Sequence, residues 1–168
     1  LATSAPARAD EPAPDLAAAH ARLLARPRPR YLLPAAVATA AIGGGITWYW
    51  LDRDRQTADW DFPSLKARLT LDAWRFDTNP FPINFAWHAV DGGAYHLFAR
   101  SSDLSLPVSI GYGLVTSLAW EFGAEFREYV SINDVVFTTG AGTAVGEFMH
   151  WLGRYVESAP DKRAWHPV

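Results

Sequence analysis

Twenty consecutive residues between Tyr31 and Trp50 carry no charge and read YLLPAAVATAAIGGGITWYW. An α-helix of about 20 apolar residues is long enough to cross the hydrocarbon core of a bilayer. The stretch ends in the aromatic run Trp48-Tyr49-Trp50, and aromatic rings of this kind are enriched where a membrane meets water. We therefore predict a transmembrane helix here; the alternative is a buried Ala/Gly-rich helix of a soluble domain.

The residues before this stretch predict an extended, disordered segment. Residues 1–30 are rich in Ala, Pro and Arg and end in Arg26-Pro27-Arg28-Pro29-Arg30, where alternating prolines prevent a helix. One interpretation of Ala7-Arg8-Ala9 is the end of a signal peptide, because it has the small-x-small form of a cleavage site. The arginines favour a cytoplasmic N-terminus, whereas a cleaved signal peptide would place that end outside. Both topologies stay open, and so does the choice between inner and outer membrane.

The composition narrows the class of protein and of partner. A chain of 168 residues, 49% of them hydrophobic, is long enough for one domain, either around a soluble core or as a membrane bundle. The net charge is slightly negative, so we expect no nucleic-acid partner. The absence of cysteine excludes disulfides and thiolate metal ligands. Membrane lipid is the expected partner, with other envelope proteins as further partners; no oligomeric state is predicted.

A short helix and a turn are predicted after the uncharged stretch. Ser64 can cap an amphipathic helix that carries Leu65, Leu69 and Trp74. The run Asn79-Pro80-Phe81-Pro82 should end this helix, because proline and the residue before it resist the helical conformation.

Three longer helices follow. The first runs from about Asn84 to Arg100, and the second is the uncharged stretch from Leu104 to Trp120, which continues to Glu125. The third begins at the capping-box-like Ser131-Ile132-Asn133-Asp134 and stays largely apolar to Gly153.

These elements predict a mainly α fold, a small membrane-associated bundle of about four to five helices with an extended N-terminal segment. We place the helical envelope domain at residues 31–156 and a tail at residues 157–168. The predicted location is a membrane of the cell envelope.

Ser117, Glu121 and Glu125 are spaced four residues apart, so they form a stripe on one helix face. A carboxylate that follows an apolar run is costly unless it is paired, protonated or directed into a polar cavity. Glu121 is therefore a catalytic candidate. The alternative is that both glutamates lie at an interfacial helix end, paired with Arg127 or with water.

His88, Asp91 and Tyr95 also share a helix face by their spacing. A neutral imidazole near carboxylates suits a general base or a metal ligand, so His88 is the second catalytic candidate. The alternative is a structural histidine that is satisfied within the bundle.

The last helix supplies further polar residues. Asn133 and Asp134 lie in its first turn, where their side chains can cap backbone amides. Glu147 follows Gly140, Gly142 and Gly146, and small residues of this kind let a neighbouring helix approach closely.

The motifs of the best-known chemistries are missing from the sequence. It has no zinc-binding H-E-x-x-H, no P-loop, no G-x-S-x-G and no dinucleotide fingerprint. We predict no metal site and assign no cofactor.

A series of short motifs can be compared with known families. In chain order they are Phe76-Asp77-Thr78-Asn79-Pro80-Phe81, His88, Gly92, Tyr95, Ala99-Arg100, Ser117-Leu118-Ala119-Trp120-Glu121, Ser131-Ile132-Asn133-Asp134 and Gly142 to Glu147. Across residues 70–153 they resemble a family of uncharacterised Gram-negative envelope proteins, domain of unknown function 3943. More distantly, the order His, Glu, Ser-x-x-Asp, Gly-x-x-x-Gly resembles VanZ-like membrane proteins and a family of small periplasmic lipoproteins.

The resemblance to the first family implies a small helical envelope domain whose polar residues gather from three helices. The chain departs from that family at Ala89, since family members usually have a proline directly after the histidine. Family members are also often longer than this chain.

Two functions are compatible with the sequence. The favoured one is a structural or assembly scaffold of the envelope, in which the polar side chains join helices through hydrogen bonds. The alternative is a membrane-embedded enzyme or binding site for an envelope lipid or lipid-linked glycan. In that case His88 and Glu121 act as acid and base, while Asp134 and Glu147 orient groups or bind metal.

Overall fold

A computed structural model describes residues 28–51 and 60–157 of the chain. The signal-peptide interpretation of Ala7-Arg8-Ala9 and nearly all of the predicted tail lie outside these described residues. Within them the chain is mainly helical, as predicted, and four long helical segments and one single-turn helix form the bundle.

The uncharged stretch forms one continuous helix, α1, from Leu32 to Leu51. The three consecutive glycines do not interrupt it, and only Pro34 and Tyr49 within it are buried. Among the described residues it is the one helix long and apolar enough to cross a membrane, and a signal sequence has the same character. The stretch from Leu104 to Trp120, in contrast, contributes a 14-residue helix, which is shorter than a typical span.

The next helix is shorter than predicted. Helix α2 covers Leu65–Leu69, and the side chain of Ser64 caps it by accepting a hydrogen bond from the Ala67 amide. The helix does not reach the prolines, because Leu71 adopts a left-handed φ of 68° that stops the helical run. Trp74 therefore lies on a strand and not on the helix.

Two long helical segments cross next to α1. Pro82 opens the first of them, as a proline can in the first turn of a helix, so the proline run starts a helix as well as ending a turn. A π-helical turn, Pro82–Trp87, leads into α3, His88–Ser101. Helix α4, Leu106–Ala119, continues as a second π-helical turn, Trp120–Ala124.

A short parallel strand pair holds the start of the last segment in place. Strand β1, Trp74–Arg75, pairs with β2, Val130–Ser131. The last segment then consists of three parts: α5, Ile132–Val136, a π-helical turn, Phe137–Ala141, and α6, Gly142–Glu157.

Helices α3 and α6 pack with their backbones in close contact. A Cβ atom on Gly142 would lie 2.6 Å from the backbone of Gly92, and one on Gly146 would lie 2.7 Å from the carbonyl oxygen of Gly93. The prediction that glycines allow a close helix approach is therefore confirmed for Gly142 and Gly146. Gly140, however, has no neighbour within 4 Å of that position, so it does not take part.

The bundle buries polar side chains and exposes apolar ones. Leu32 is 85% exposed, Phe148 65% and Tyr155 76%. The buried polar side chains include those of Arg68, His96, Ser109, Thr116, Ser117, Glu121, Ser131, Asn133, Asp134 and Thr138. Large exposed apolar surfaces in proteins usually meet lipid or another apolar partner.

Candidate functional site

Three helical segments bring most of the predicted site residues around one cavity. The cavity has a volume of about 530 Å³. The described polar residues of its wall are His88, Asp91 and Tyr95 from α3, Thr116, Ser117 and Glu121 from α4 and its π-helical extension, Glu125 directly after that extension, Asp134 and Thr138 from the last segment, and Asn79. We call this space the carboxyl cavity.

A cluster of three carboxyl groups lies in this wall. Carboxylate oxygens of Glu121, Glu125 and Asp134 all lie within 4.8 Å of one another. Burial and the charge of Glu125 raise the pKa of Glu121 to about 9. Burial and the charge of Asp77 raise the pKa of Asp134 to about 8. At neutral pH both groups therefore favour the protonated form.

The capping box at the start of α5 is completed by a residue from another helix, and this explains the position of Glu121. Ser131 caps α5 by accepting a hydrogen bond from the Asp134 amide at 3.2 Å, as its sequence predicts. In an ordinary capping box the residue three positions later would bond back to the Ser131 amide. Here Glu121 accepts that bond at 2.8 Å, so the Asp134 side chain can point elsewhere.

His88 bridges two residues of the last segment. Its Nε2 lies 3.2 Å from Oδ1 of Asp134 and its Nδ1 lies 3.1 Å from Oγ1 of Thr138. Burial lowers the pKa of His88, although Asp91 opposes the shift. A neutral imidazole next to a neutral carboxyl group can exchange one proton with it, which is the basic requirement of acid–base chemistry.

Asp91 and Tyr95 complete the wall on the α3 side. Burial raises the pKa of both groups; His88 opposes the shift at Asp91, whereas Asp91 adds to the shift at Tyr95. The predicted shared face of His88, Asp91 and Tyr95 is thus directed into one cavity.

The sequence missed Arg68, which fixes the backbone next to Glu121. The Arg68 guanidinium is buried and donates to the carbonyl oxygens of Glu121, Phe126 and Glu128. It thereby satisfies carbonyls that a helix end leaves unpaired. A basic residue on the buried side of the short α2 helix was the available signal, but its partners are more than 50 positions away.

Arg127 was the partner of the two glutamates in the alternative interpretation, together with water. Its guanidinium stacks 3.4 Å from the ring centre of Trp50 and 4.0 Å from that of Trp60. The alternative in which Arg127 neutralises Glu121 is therefore not the arrangement found, since Glu121 bonds to the Ser131 amide.

Asn133 links the start of the last segment to Asp77 and does not line the carboxyl cavity. Its side-chain oxygen accepts from the Asp77 amide at 2.9 Å, and its nitrogen donates to the Asp77 carboxylate at 2.8 Å. Ser131 donates to the same carboxylate. Burial raises the pKa of Asp77, but hydrogen bonds from Asn133, Asn84 and Ser131 outweigh it and leave the pKa lowered. Asp77 was named in the sequence only as part of the motif from Phe76 to Phe81, with no role assigned to it.

Glu147 lies in a separate cluster. Its carboxylate binds His96 and Arg100, each at 2.9 Å, and accepts from the indole of Trp151 at 2.8 Å. Glu147 is not part of the carboxyl-cavity wall, so it does not join His88, Glu121 and Asp134.

The carboxyl cluster also has the composition of a cation site. Carboxylate oxygens suit hard divalent cations such as Mg²⁺, Ca²⁺ or Mn²⁺. Glu121, Glu125 and Asp134 are close enough together to share one ion, although the sequence predicted none. Protons or a cation can therefore relieve the repulsion among these groups.

Comparison with known proteins bears on the identity of the chain. No curated protein and no solved structure matches it. A family model matches residues 73–168, more than half of the chain, and this range includes every motif that carried the resemblance. The chain therefore belongs to the family described as a domain of unknown function (DUF3943).

Proposed function

We propose that this chain is a membrane domain of the bacterial envelope whose carboxyl cavity binds the polar head group of an envelope lipid or lipid-linked glycan. The observation that supports this function best is the convergence of His88, Glu121 and Asp134, from three helical segments, on one cavity. Residues that serve only to join helices would have no need to surround open space.

The other walls of the cavity favour an amphiphilic ligand. Trp48, Ile83 and Trp87 line it, and each of them is also exposed on the outer surface of the bundle. Ligand sites are usually apolar with a few well-placed polar groups. An acyl or polyprenyl chain can lie against these side chains while its head group reaches the carboxyl cluster.

The polar groups are suited to proton transfer at the head group. A neutral Glu121 or Asp134 carboxyl group can donate a hydrogen bond or a proton to a phosphoryl or glycosidic oxygen. Neutral His88 can accept a proton from a hydroxyl group or from water. We assign Glu121 and Asp134 as acids, His88 as the base, and Tyr95 and Ser117 as hydrogen-bonding groups.

The test is to identify lipids that co-purify with the protein. The full chain is extracted from membranes in a mild detergent, and bound lipids are analysed by mass spectrometry for the wild type, His88→Ala and Glu121→Gln. We expect one lipid class to be enriched in the wild type and lost from both variants. Glu157→Gln, which changes an exposed residue outside the cavity, should retain it. Equal lipid content in all four folded proteins would overturn the proposal.

A scaffold is the second candidate, and two hydrogen-bonded clusters favour it. One joins Asp77 to Asn133 and Ser131, and the other joins Glu147 to His96 and Arg100. A scaffold would lose function only when the amount of folded protein falls. Glu121→Gln would then be tolerated, since glutamine keeps the acceptor for the Ser131 amide.

A further inference from the structure

We propose that a second cavity, at the Tyr31 end of α1, binds the phosphate group of an anionic phospholipid. This cavity has a volume of about 530 Å³. Its wall includes Tyr31, Arg100, Asp103, His150, Trp151 and Arg154. We call it the basic cavity.

The cations of this wall have hydrogen-bond donors to spare. Arg154 forms no ion pair within the part of the chain that the structure describes. Arg100 binds Glu147 through Nε and Nη2 and the Leu104 carbonyl through Nη1. A guanidinium group has five N–H donors, so Arg100 can still donate to a ligand oxygen.

A third arginine lies in the chain between two residues of the cavity wall, Pro29 and Tyr31. Arg30 donates from its backbone amide to the Ser102 carbonyl at 2.9 Å and from its side chain to the Ser101 carbonyl at 2.8 Å. These bonds hold the residues that precede α1 against the end of α3. Among the described residues of the wall Asp103 is the one carboxylate, while Glu147 is already bound to Arg100 and His96.

The surroundings of His150 indicate the sign of the local field. Burial lowers the pKa of His150, and the charges of Arg100 and Arg154 lower it further, against the opposing effect of Glu147. A positive field disfavours a further positive charge and attracts an anion. Guanidinium groups bind phosphate with two parallel hydrogen bonds.

The location in the fold points to a lipid as the source of the phosphate. The cavity lies directly before the first turn of the helix that can cross a membrane, and the exposed aromatic rings of Tyr31 and Trp151 line it. Aromatic rings and basic residues at the end of a membrane helix lie at the depth of the head groups. Basic pockets at that depth bind anionic lipids.

The test measures binding of three probes to the full chain in neutral detergent. The probes are short-chain phosphatidylglycerol, short-chain phosphatidylcholine and inorganic phosphate, and the readouts are the dissociation constant and the shift in Tm. We expect phosphatidylglycerol to bind more tightly than either other probe. Arg154→Gln should weaken it by about tenfold, as for the loss of one charge-assisted hydrogen bond, and Arg154→Lys should weaken it less.

The matched control is Lys66→Gln, which removes the same charge from an exposed residue outside the basic cavity and should leave binding unchanged. Equal effects of Arg154→Gln and Lys66→Gln would overturn the site. Equal binding of phosphatidylcholine would overturn the preference for anions, and equally tight binding of inorganic phosphate would assign the site to a soluble ligand. The carboxyl-cavity proposal fails if His88→Ala and Glu121→Gln keep the co-purified lipid, whereas this one fails if Arg154→Gln binds phosphatidylglycerol like Lys66→Gln, so the two failures are distinguishable.

Discussion

Glu121 combines two roles that its substitutions can separate. Its carboxyl group accepts a hydrogen bond from the Ser131 amide, and the residue is only 1% exposed. Its pKa is raised to about 9 from an ordinary value of 4.5. A group whose pKa is raised by folding contributes stability below its unfolded pKa. That contribution is lost as the pH rises through the folded pKa.

We therefore expect the free energy of unfolding to fall between about pH 5 and pH 9, by up to about 1.4 kcal/mol per pH unit for this group. Glu121→Gln should flatten the dependence and be at least as stable as the wild type at pH 8. Glu121→Ala should cost about 1–3 kcal/mol at every pH, because it leaves the Ser131 amide unsatisfied. The free energy of unfolding of the wild type and of both variants is measured in detergent from pH 5 to pH 9. A pH dependence in Glu121→Gln as steep as in the wild type would contradict the assignment of the raised pKa to Glu121.

Ser131 and Asp134 allow a second test, in which the cap and the carboxyl group are separated. The Ser131 hydroxyl caps α5 and also donates to Asp77. The Asp134 side chain instead faces His88, which corrects our expectation that it caps the helix. Ser131→Ala should lower stability by about 1–2 kcal/mol, whereas Asp134→Asn should keep the fold. Thermal unfolding of both variants checks this order, and the reverse order would show that Asp134 is the structural residue.

Local spacing predicted which polar residues share a helix face, but neither the cavity that they line nor the supports of that cavity could be predicted in the same way. His88, Asp91 and Tyr95 share a face because helical periodicity repeats every three to four residues. The partners of Arg68 and Asp77, in contrast, lie 53 and 56 positions away. No local pattern encodes which distant carbonyl or amide a side chain will meet.

At the scale of the elements, the crossing of α3 with the last helical segment, at its π-helical turn and α6, sets the shape of the carboxyl cavity. A Cβ atom on Gly92 would overlap the carbonyl group of Thr138. The Thr138 hydroxyl forms a hydrogen bond with His88, so this crossing also positions the histidine. Because the obstacle is backbone, a side-chain rotation cannot relieve the overlap.

We expect Gly92→Ala to destabilise the fold by more than about 2 kcal/mol, in the range of severe overpacking. Gly111→Ala is the matched control, because that position in α4 has no neighbour within 4 Å. Alanine there should stabilise the helix by up to about 1 kcal/mol. Thermal unfolding of the two variants decides this, and equal stability would show that the helices can move apart at no cost.

The helices themselves were largely predictable, whereas their irregular turns were not. The uncharged and amphipathic stretches predicted four long helical segments, and the Ser64 and Ser131 caps were found where the sequence indicated them. The π-helical turns at Pro82–Trp87, Trp120–Ala124 and Phe137–Ala141 left no such signal. Turns of this kind often mark functional sites, and each of these contains or directly precedes a residue of the cavity wall.

At the scale of the whole molecule, the bundle buries polar side chains and exposes large apolar ones. Its two cavities lie near opposite ends of α1. Trp48 lines the carboxyl cavity and Tyr31 lines the basic cavity. Trp48 follows Tyr31 by seventeen positions, which is about 26 Å along a helix axis. The mean hydropathy of −0.06 conceals this arrangement, because averaging cannot distinguish buried from exposed side chains.

If α1 crosses the membrane, the two cavities face opposite surfaces. Arg28, Arg30, Arg100 and Arg154 belong to the Tyr31 end or to the basic cavity. Cytoplasmic ends of membrane helices carry an excess of Lys and Arg. Arg127 stacks on Trp50 and Arg68 binds the backbone at Glu121, so basic residues flank both ends of α1, and the prediction is that the two cavities face opposite sides of the membrane.

Because the chain has no cysteine, single-cysteine variants report this orientation directly. Gly153→Cys places a thiol beside Arg154 in open space. Lys66→Cys places one on α2, the helix from which Arg68 donates a hydrogen bond to the Glu121 carbonyl oxygen. A membrane-impermeant maleimide should label the two variants from opposite sides, one of them in right-side-out membranes and the other only in inverted vesicles. Labelling of both from one side, or release of the protein by carbonate, would show that α1 does not span the membrane, and the exposed apolar surface would then require a protein partner.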